Sequence, residues 1–358
     1  MRKTVKFLSI FFIFALFFSA LPFGIPKTYA DSNANKESEI VIESSTGRVL
    51  YGKNINQKMF MASTTKILTA ITVIENCNLS DIVTVTDKTV GVEGSSIYLE
   101  EGEKLSVGNL LYGLMLRSGN DCAETLAIFC SGSIPEFANL MNKTAKKIGA
   151  NHSNFVNPHG LHDDNHYTTA YDLGVISAYA MKNPDFKKIV STKSIKIPHT
   201  KREYDRVLVN KNKMLKEYDG ATGIKTGYTK KAGRCLVSSA EKNGMELICV
   251  VLNCPPMFER SKSLLTECFK GYNMTKLFES DNIVDFIKTD NGKDCGVYIK
   301  KDIVVPLKES EKNNIEIKLD LPEILKAPIK KDSAVGKIKI YSQNNLIFEE
   351  NLYTIIDV

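Results

Sequence analysis

Ser63 and Lys66 are the first pair of side chains in the sequence that could perform covalent chemistry. In a helix, residues three apart share one face. The apolar residues Ile67, Leu68 and Ile71 recur at helical spacing directly after the pair. A lysine against an apolar helix loses hydration, which favours the free amine, and a free amine can activate a neighbouring serine. The same spacing also fits a capping serine followed by an exposed lysine, so the pair alone predicts no activity.

Two further stretches carry side chains suited to the same chemistry. Ser118 and Asn120 fall in a polar break between two apolar segments of helical periodicity. Lys225 and Thr226 enter a predicted strand, and Gly227 would let a ligand backbone approach the edge of that strand. A nucleophile with a base, a hydroxyl with an amide, and a cation with a hydroxyl are the parts that acyl transfer needs.

A scaffold of helices and antiparallel strands must bring these stretches together. Helices are predicted after Lys66, after a capping Ser106, and over residues 123–129, 135–148, 169–181 and 261–272. Strands are predicted over residues 40–43, 48–51, 222–229, 235–240 and 247–252. The last three strands are joined by short turns and must be antiparallel. The predicted fold class is α/β, in the α+β sense, with an antiparallel sheet flanked by helices.

The composition changes after about Met274. Helical periodicity disappears, and short β-like runs alternate with proline and Asn/Asp/Lys turns. This pattern predicts a catalytic domain over residues 31–273 and a small all-β C-terminal domain over residues 274–358.

The N-terminus predicts export. Arg2, Lys3 and Lys6 precede an apolar run over residues 7–21, and small residues at 28–30 resemble a signal-peptidase site. The run is short for a membrane-spanning helix. A signal peptide is therefore predicted over residues 1–30. The net charge of +6 includes four basic and no acidic residues in this segment, which leaves +2 for the remainder. Such a charge gives little support for nucleic-acid binding.

Neither the cysteines nor the histidines predict a metal site. The eight cysteines contain no Cys-x-x-Cys pair, and several lie in apolar runs, which is typical of small buried hydrophobic residues in a reducing or anaerobic setting. His159, His162 and His166 have a spacing that zinc could use. They lie, however, in a Pro/Gly loop, where polar side chains commonly bond to their own backbone.

Taken together, the three stretches resemble the Ser-x-x-Lys, Ser-x-Asn and Lys-Thr-Gly motifs of the penicillin-recognising serine peptidases. Most of residues 38–356 is similar to the low-molecular-mass D-alanyl-D-alanine carboxypeptidases, and the β-rich tail resembles their C-terminal domain. The segments that carry this resemblance are residues 46–51, 62–66, 94–99, 114–121, 157–161 and 223–229. The histidine loop thus falls in a segment not known to carry a metal in that family.

The resemblance implies a role for each motif residue. Ser63 would attack the carbonyl between the two terminal D-alanines of a cell-wall stem pentapeptide, and Lys66 would take its proton. Ser118 would relay a proton to the leaving amine. Asn120 would position the substrate amide and Lys66, while Lys225 would supply positive potential.

Further residues would bind the substrate. The resemblance places Thr226 and Thr229 at the terminal carboxylate of the substrate, together with Gly227 and, less directly, Arg260. The backbone amides of Ser63 and Tyr228 would form the oxyanion hole. The chemistry needs no metal or organic cofactor.

The resemblance also implies partners and a location. Peptidoglycan stem peptides would be the substrate and β-lactam antibiotics the inhibitors, with no nucleic-acid partner, at the cell wall or the outer face of the cytoplasmic membrane. Two departures stand out: Met61 replaces a proline common in the family, and residues 346–358 show no amphipathic helix of the kind that anchors family members. Membrane attachment therefore stays open.

Two other functions use the same set of motifs. A class A β-lactamase would add a Glu-x-x-x-Asn loop, which none of the glutamates between Asn120 and Lys225 begins, and would have Ser-Asp-Asn in place of Ser-Gly-Asn. A penicillin-binding sensor or wall-binding protein that has lost turnover would carry the same motifs. Release of D-alanine from a pentapeptide distinguishes the sensor from the enzyme.

Overall fold

The computed structural model describes residues 37–358. Its strands are β1 (Ser38–Glu43), β2 (Val49–Lys53), β3 (Ile82–Thr84), β4 (Lys104–Ser106), β5 (Ser194–Ile197), β6 (Arg206–Val209), β7 (Ala221–Thr229), β8 (Gly233–Lys242), β9 (Met245–Leu252), β10 (Asn273–Phe278), β11 (Ile283–Thr289), β12 (Asp294–Tyr298), β13 (Ile303–Leu307), β14 (Ile315–Asp320), β15 (Ile324–Leu325), β16 (Ala334–Ser342) and β17 (Asn345–Thr354). Its α-helices are α1 (Lys66–Asn76), α2 (Val107–Tyr112), α3 (Asn120–Ser131), α4 (Ile134–Ile148), α5 (Ala170–Met181), α6 (Pro184–Ser191), α7 (Met214–Glu217) and α8 (Met257–Gly271).

A five-stranded antiparallel sheet lies at the centre of the helical part. Its strand order is β2-β1-β9-β8-β7, so β1 pairs with β9, the last of three consecutive hairpin strands, and β2 forms the edge beside β1. β1 is buried on both faces, because α5 packs on one side and α8 on the other. The predicted antiparallel sheet flanked by helices is confirmed.

The helices on the α5 side enclose the larger hydrophobic core. α1 is buried over its first eight residues, between α3, α4 and α5. Ser106 caps α2 as predicted, since its side chain accepts the N–H of Asn109. The core therefore fixes α1 against α3, and these two helices carry Lys66 and Asn120.

Residues after Tyr272 form β-structure with one short 3-10 helix (Glu309–Asn314). A six-stranded sheet has the order β14-β16-β17-β12-β11-β15, and β10 pairs with β13. These strands enclose a hydrophobic cluster of their own. The prediction of an all-β C-terminal domain is confirmed.

The predicted signal peptide over residues 1–30 lies outside the described residues. Within residues 37–358, no helix is both long enough and apolar enough to cross a membrane. The eight cysteines are free thiols, and six of them are buried, as their apolar surroundings in the sequence predict.

Candidate active site

Ser63 lies in a 3-10 turn (Ala62–Thr65) that leads directly into α1. The turn is held by Thr64, whose hydroxyl donates to the Met61 carbonyl at 2.6 Å, and by Thr65, whose hydroxyl donates to the Ala62 carbonyl at 2.8 Å. Lys66 is the first residue of α1, so serine and lysine share one side of the turn as the spacing predicts.

The Lys66 amine is completely buried and has three oxygen neighbours. Its Nζ lies 2.7 Å from Asn120 Oδ1, 2.7 Å from the His159 carbonyl oxygen and 3.2 Å from Ser63 Oγ. The amide and carbonyl oxygens can only accept, so they use two N–H groups of the amine. The lone pair of a free amine is then left for the Ser63 hydroxyl.

Electrostatics favour that free amine. Burial, and next the positive charge of Lys225, lower the pKa of Lys66 well below its usual range. Lys66 is therefore suited to act as a base rather than as a permanent cation.

Ser118 and Asn120 are presented by the break that the sequence predicts. The π-type turn Gly113–Arg117 extends α2 and ends at Ser118, which adopts a left-handed conformation with φ of 65°. α3 begins at Asn120, whose Nδ2 donates to the Glu93 carbonyl at 2.5 Å. Asn120 thereby turns its oxygen towards Lys66, and Ser118 lines the cleft beside Ser63.

Strand β7 forms the opposite wall. Lys225 is buried, and its Nζ donates to the Thr226 carbonyl at 2.9 Å. Burial, and then the charge of Lys211, lower the pKa of Lys225 to about 7. A carboxylate close to Lys225 would favour its charged form.

Gly227 packs closely against the turn that carries Ser63. A Cβ at this position would lie 3.1 Å from each of three backbone atoms, the Met61 oxygen and the amide nitrogens of Ser63 and Thr64. The turn that carries the nucleophile therefore packs closely against this glycine, which also lines the cleft.

A cleft of about 290 Å³ opens beside the turn and the edge of β7. It is lined by Ser63, Ser95, Ser118, Lys211, Thr226, Gly227, Tyr228, Arg234, Met257 and Phe258. Two cations, Lys211 and Arg234, thus join the predicted residues. Sequence reasoning missed both, and the only available signal for Arg234 was its position opposite Tyr228 in the β7–β8 hairpin.

One residue expected at the substrate carboxylate, Arg260, lies elsewhere. The Arg260 guanidinium donates to both carboxylate oxygens of Glu39, at 2.7 and 2.8 Å, and to the Tyr51 hydroxyl at 2.8 Å. Arg260 is therefore engaged with β1 and β2, and assigning it to the cleft is wrong. Thr229 is the last residue of β7, and its hydroxyl accepts the Ala232 N–H at 3.0 Å.

The three loop histidines do not converge on a common point. Nε2 of His159 faces Glu124 at 3.2 Å, Nε2 of His162 faces Asp164 at 3.4 Å, and Nε2 of His166 lies 2.8 Å from Thr65 Oγ1. Burial lowers the pKa of His166 to about 3. The loop packs against the turn that carries Ser63, through His166 and Thr65. Its contact with the catalytic groups is the His159 carbonyl, which accepts a hydrogen bond from Lys66.

Comparisons with known proteins agree with this geometry. Residues 26–255 match the family model described as D-alanyl-D-alanine carboxypeptidase, and residues 272–358 match the penicillin-binding protein 5 C-terminal domain. D-alanyl-D-alanine carboxypeptidase DacF of Bacillus subtilis is 31% identical over 345 residues, which span 90% of this chain and 88% of that protein. The solved structure of penicillin binding protein 5 from Haemophilus influenzae has a TM-score of 0.78 at 27% identity and covers 89% of this chain and 96% of its own.

Proposed function

The chain belongs to the family of D-alanyl-D-alanine carboxypeptidases, and from this membership we propose that Ser63 is the nucleophile that removes the terminal D-alanine from peptidoglycan stem pentapeptides. The chain is a serine-type D-Ala-D-Ala carboxypeptidase and a penicillin-binding protein. The observation that carries the assignment of Ser63 is the buried Lys66 amine, which has two of its hydrogens committed and lies 3.2 Å from Ser63 Oγ.

In the acylation step, Ser63 Oγ attacks the carbonyl carbon between the two terminal D-alanines while Lys66 Nζ takes the hydroxyl proton. The tetrahedral intermediate collapses, the C–N bond breaks, and the leaving amine receives a proton through Ser118 and Lys66. Water then hydrolyses the ester and restores Ser63. Asn120 holds Lys66 in place throughout and is positioned to contact the substrate amide.

The developing oxyanion is stabilised by two backbone amides, those of Ser63 and Tyr228. The close packing of the nucleophile turn against Gly227 supports this proposal, because it brings the Ser63 N–H next to the segment of β7 that precedes Tyr228. Losing one such donor typically costs about 10²–10³ in rate.

The terminal carboxylate of the substrate is bound by Thr226, Thr229 and Arg234, and the buried Lys225 adds positive potential. Arg234 takes the place expected for Arg260: it lines the cleft, stacks over the Tyr228 ring at 5.6 Å, and forms no ion pair among residues 37–358. A guanidinium with no carboxylate partner among the described residues is well suited to a ligand carboxylate, which it can bind through two parallel hydrogen bonds.

Arg234→Ala is expected to raise KM for a pentapeptide about tenfold or more, with a smaller change in kcat, because a charge-assisted pair to the substrate is lost. Steady-state kinetics on a pentapeptide and on its C-terminal amide measure this effect. On the amide, which lacks the carboxylate, the KM of Arg234→Ala should be close to that of the wild-type protein. Lys230→Ala, on the same hairpin but outside the cleft, serves as the matched control. An unchanged KM on the acid would remove Arg234 from the carboxylate site.

The acylation rate is expected to fall about tenfold per pH unit below the pKa of Lys66, since only the free amine accepts a proton. Lys225→Met removes a positive charge that lowers this pKa. The pKa of Lys66 then rises, and the acidic limb of the profile moves to higher pH. Stopped-flow acylation by a fluorescent penicillin, recorded for both proteins across the pH range, tests the prediction. If the acidic limb lies at the same pH in the wild-type protein and in Lys225→Met, the prediction is contradicted.

The wider organisation is also proposed. Residues 1–30 direct export, residues 31–273 form the catalytic domain and residues 274–358 form a separate β-domain. The buried cluster of the β-rich part draws its members from residues 277–358, whereas the other two clusters end at Met274, which supports this division. Export is required by the substrate, which lies outside the cytoplasmic membrane, and association with the wall or membrane follows from the same location.

The proposed activity is tested by mass detection of D-alanine released from a stem pentapeptide. The expected products are one D-alanine and the tetrapeptide. If penicillin acylates the protein but no D-alanine is released, the chain is a sensor that has lost turnover.

A further inference from the structure

Asp121, next to Asn120 at the start of α3, is a buried carboxylate surrounded by neutral hydrogen-bond donors. Its Oδ2 accepts the Ser96 hydroxyl at 2.5 Å and the N–H groups of Ile97 and Leu99, both at 3.1 Å. Its Oδ1 accepts the N–H of Cys122 at 2.9 Å. Each partner donates, so the group is an acceptor on all sides, as an ionised carboxylate is. Among the ion pairs of residues 37–358, none includes Asp121.

The backbone that Asp121 holds is one wall of the active-site cleft. Ser95 lines the cleft, and its carbonyl accepts the Asn120 N–H at 2.6 Å. The Glu93 carbonyl, just before it, accepts from Asn120 Nδ2. The segment 93–99 therefore fixes both the main chain and the side-chain amide of Asn120, whose oxygen contacts Lys66.

We propose that Asp121 is a positioning residue for the acylation reaction, which holds the segment 93–99 against α3 and so keeps Asn120 and Lys66 in place for Ser63. This inference rests on the proposed function of Ser63 and Lys66. Asp121 belongs to none of the three motifs and is not among the residues that line the cleft.

The segment 93–99 needs these hydrogen bonds because its backbone is strained. Tyr98 adopts a left-handed conformation with φ of 60° and is 81% exposed, so no packing of its ring offsets the cost. Asp121 binds the N–H groups from the inside. Arg206 binds the carbonyls from the outside, since its guanidinium donates to the Ile97 oxygen at 3.0 Å and the Tyr98 oxygen at 2.9 Å.

Asp121 also differs from Arg206 in its electrostatic effect on Lys66. The ionisable groups that influence Lys66 or are influenced by it are Lys225 on β7, Lys211 on the preceding loop, Asp121 and Cys122 on α3, and His159 and His166 on the loop behind the site. Burial raises the pKa of Cys122 well above its usual range, so that thiol is neutral. The carboxylate of Asp121 opposes burial and the two lysines by raising the pKa of Lys66.

This difference gives a test that separates positioning from mere support. Asp121→Asn keeps the shape but has one acceptor oxygen in place of two, and it has no charge. The expected result is a fall of about 10²-fold in acylation by a fluorescent penicillin, as follows from a small misplacement of reacting groups. The acidic limb of the pH profile should also move to lower pH, because the pKa of Lys66 falls when the negative charge is removed.

Matched variants complete the experiment. Asp121→Glu restores the charge, so its acidic limb should return to the wild-type position even if its rate stays low. Arg206→Met loosens the same segment from outside and should lower the rate without moving the limb. If Asp121→Asn does not fold, Ser96→Ala, which removes one donor to the carboxylate, should slow acylation severalfold at an unchanged limb.

The outcomes are distinct. A wild-type rate in Asp121→Asn, or in Ser96→Ala where that variant replaces it, overturns the inference. The inference is also overturned if the acidic limb of the pH profile lies at the same pH in Asp121→Asn and in Arg206→Met. Asp121 would then only support the fold. Failure of the wild-type protein to be acylated at Ser63 would instead overturn the proposed function, so the two failures are distinguishable.

Discussion

Replacing Lys66 with methionine is expected to lower the rate of Ser63 acylation by about 10²–10⁴-fold, the usual contribution of a positioned base. Methionine fills much of the same buried volume, but it cannot take the serine proton. Lys66→Arg should be equally inactive, because a guanidinium stays protonated throughout the accessible pH range. The second-order rate of acylation by a labelled penicillin is the measurement, with D-alanine release from a pentapeptide as the second readout.

The control for this prediction is Lys211→Met. Lys211 lies in the same cleft, and its Nζ donates to Ser95 Oγ at 3.2 Å, but it has no contact with Ser63. Its replacement should change acylation by less than about tenfold, as expected for a partly solvated charge. Thermal unfolding of both variants checks that the fold is retained. If Lys66→Met acylates within tenfold of the wild-type rate, another group is the base.

Ser63→Ala is expected to abolish covalent labelling by penicillin and to reduce D-alanine release by at least about 10⁴-fold, as removal of a catalytic serine does in other serine hydrolases. The fold should remain intact, because only Oγ is lost and Lys66 keeps its bonds to Asn120 and the His159 carbonyl. The unfolding midpoint should therefore stay close to that of the wild type.

Ser118→Ala offers the matched comparison, since it removes a different hydroxyl from the same cleft. It should slow acylation and yet leave the adduct on Ser63. If Ser63→Ala still forms a covalent adduct, Ser63 is not the nucleophile. If Ser118→Ala in addition forms no adduct, the nucleophile is Ser118.

The parts of this site that were predictable from sequence are those determined by short-range spacing. Ser63 and Lys66 lie on one turn because three residues separate them, and Ser118 lies at a helix end because Gly119 and Asn120 interrupt the apolar pattern. The antiparallel arrangement of β7, β8 and β9 followed from turns too short for any other connection.

The parts that could not be predicted depend on contacts distant in sequence. The His159 carbonyl at Lys66 is a backbone group, which no residue type signals. Arg260 and Arg234 are both arginines near the predicted strands, and only the position of Glu39 beside α8 shows which of them is already paired. The sequence does not reveal that the Ser63 turn packs against Gly227, because the two segments are more than 150 residues apart in the chain.

The most direct test of the central claim is to locate the acyl-enzyme. The wild-type protein is incubated with a labelled penicillin, quenched, digested with trypsin and mapped by tandem mass spectrometry. Cleavage after Lys58 and Lys66 releases residues 59–66, and we expect the label on this peptide at Ser63, with none in the digest of Ser63→Ala. Label on any other peptide, or no covalent label on the wild-type protein, would contradict the account.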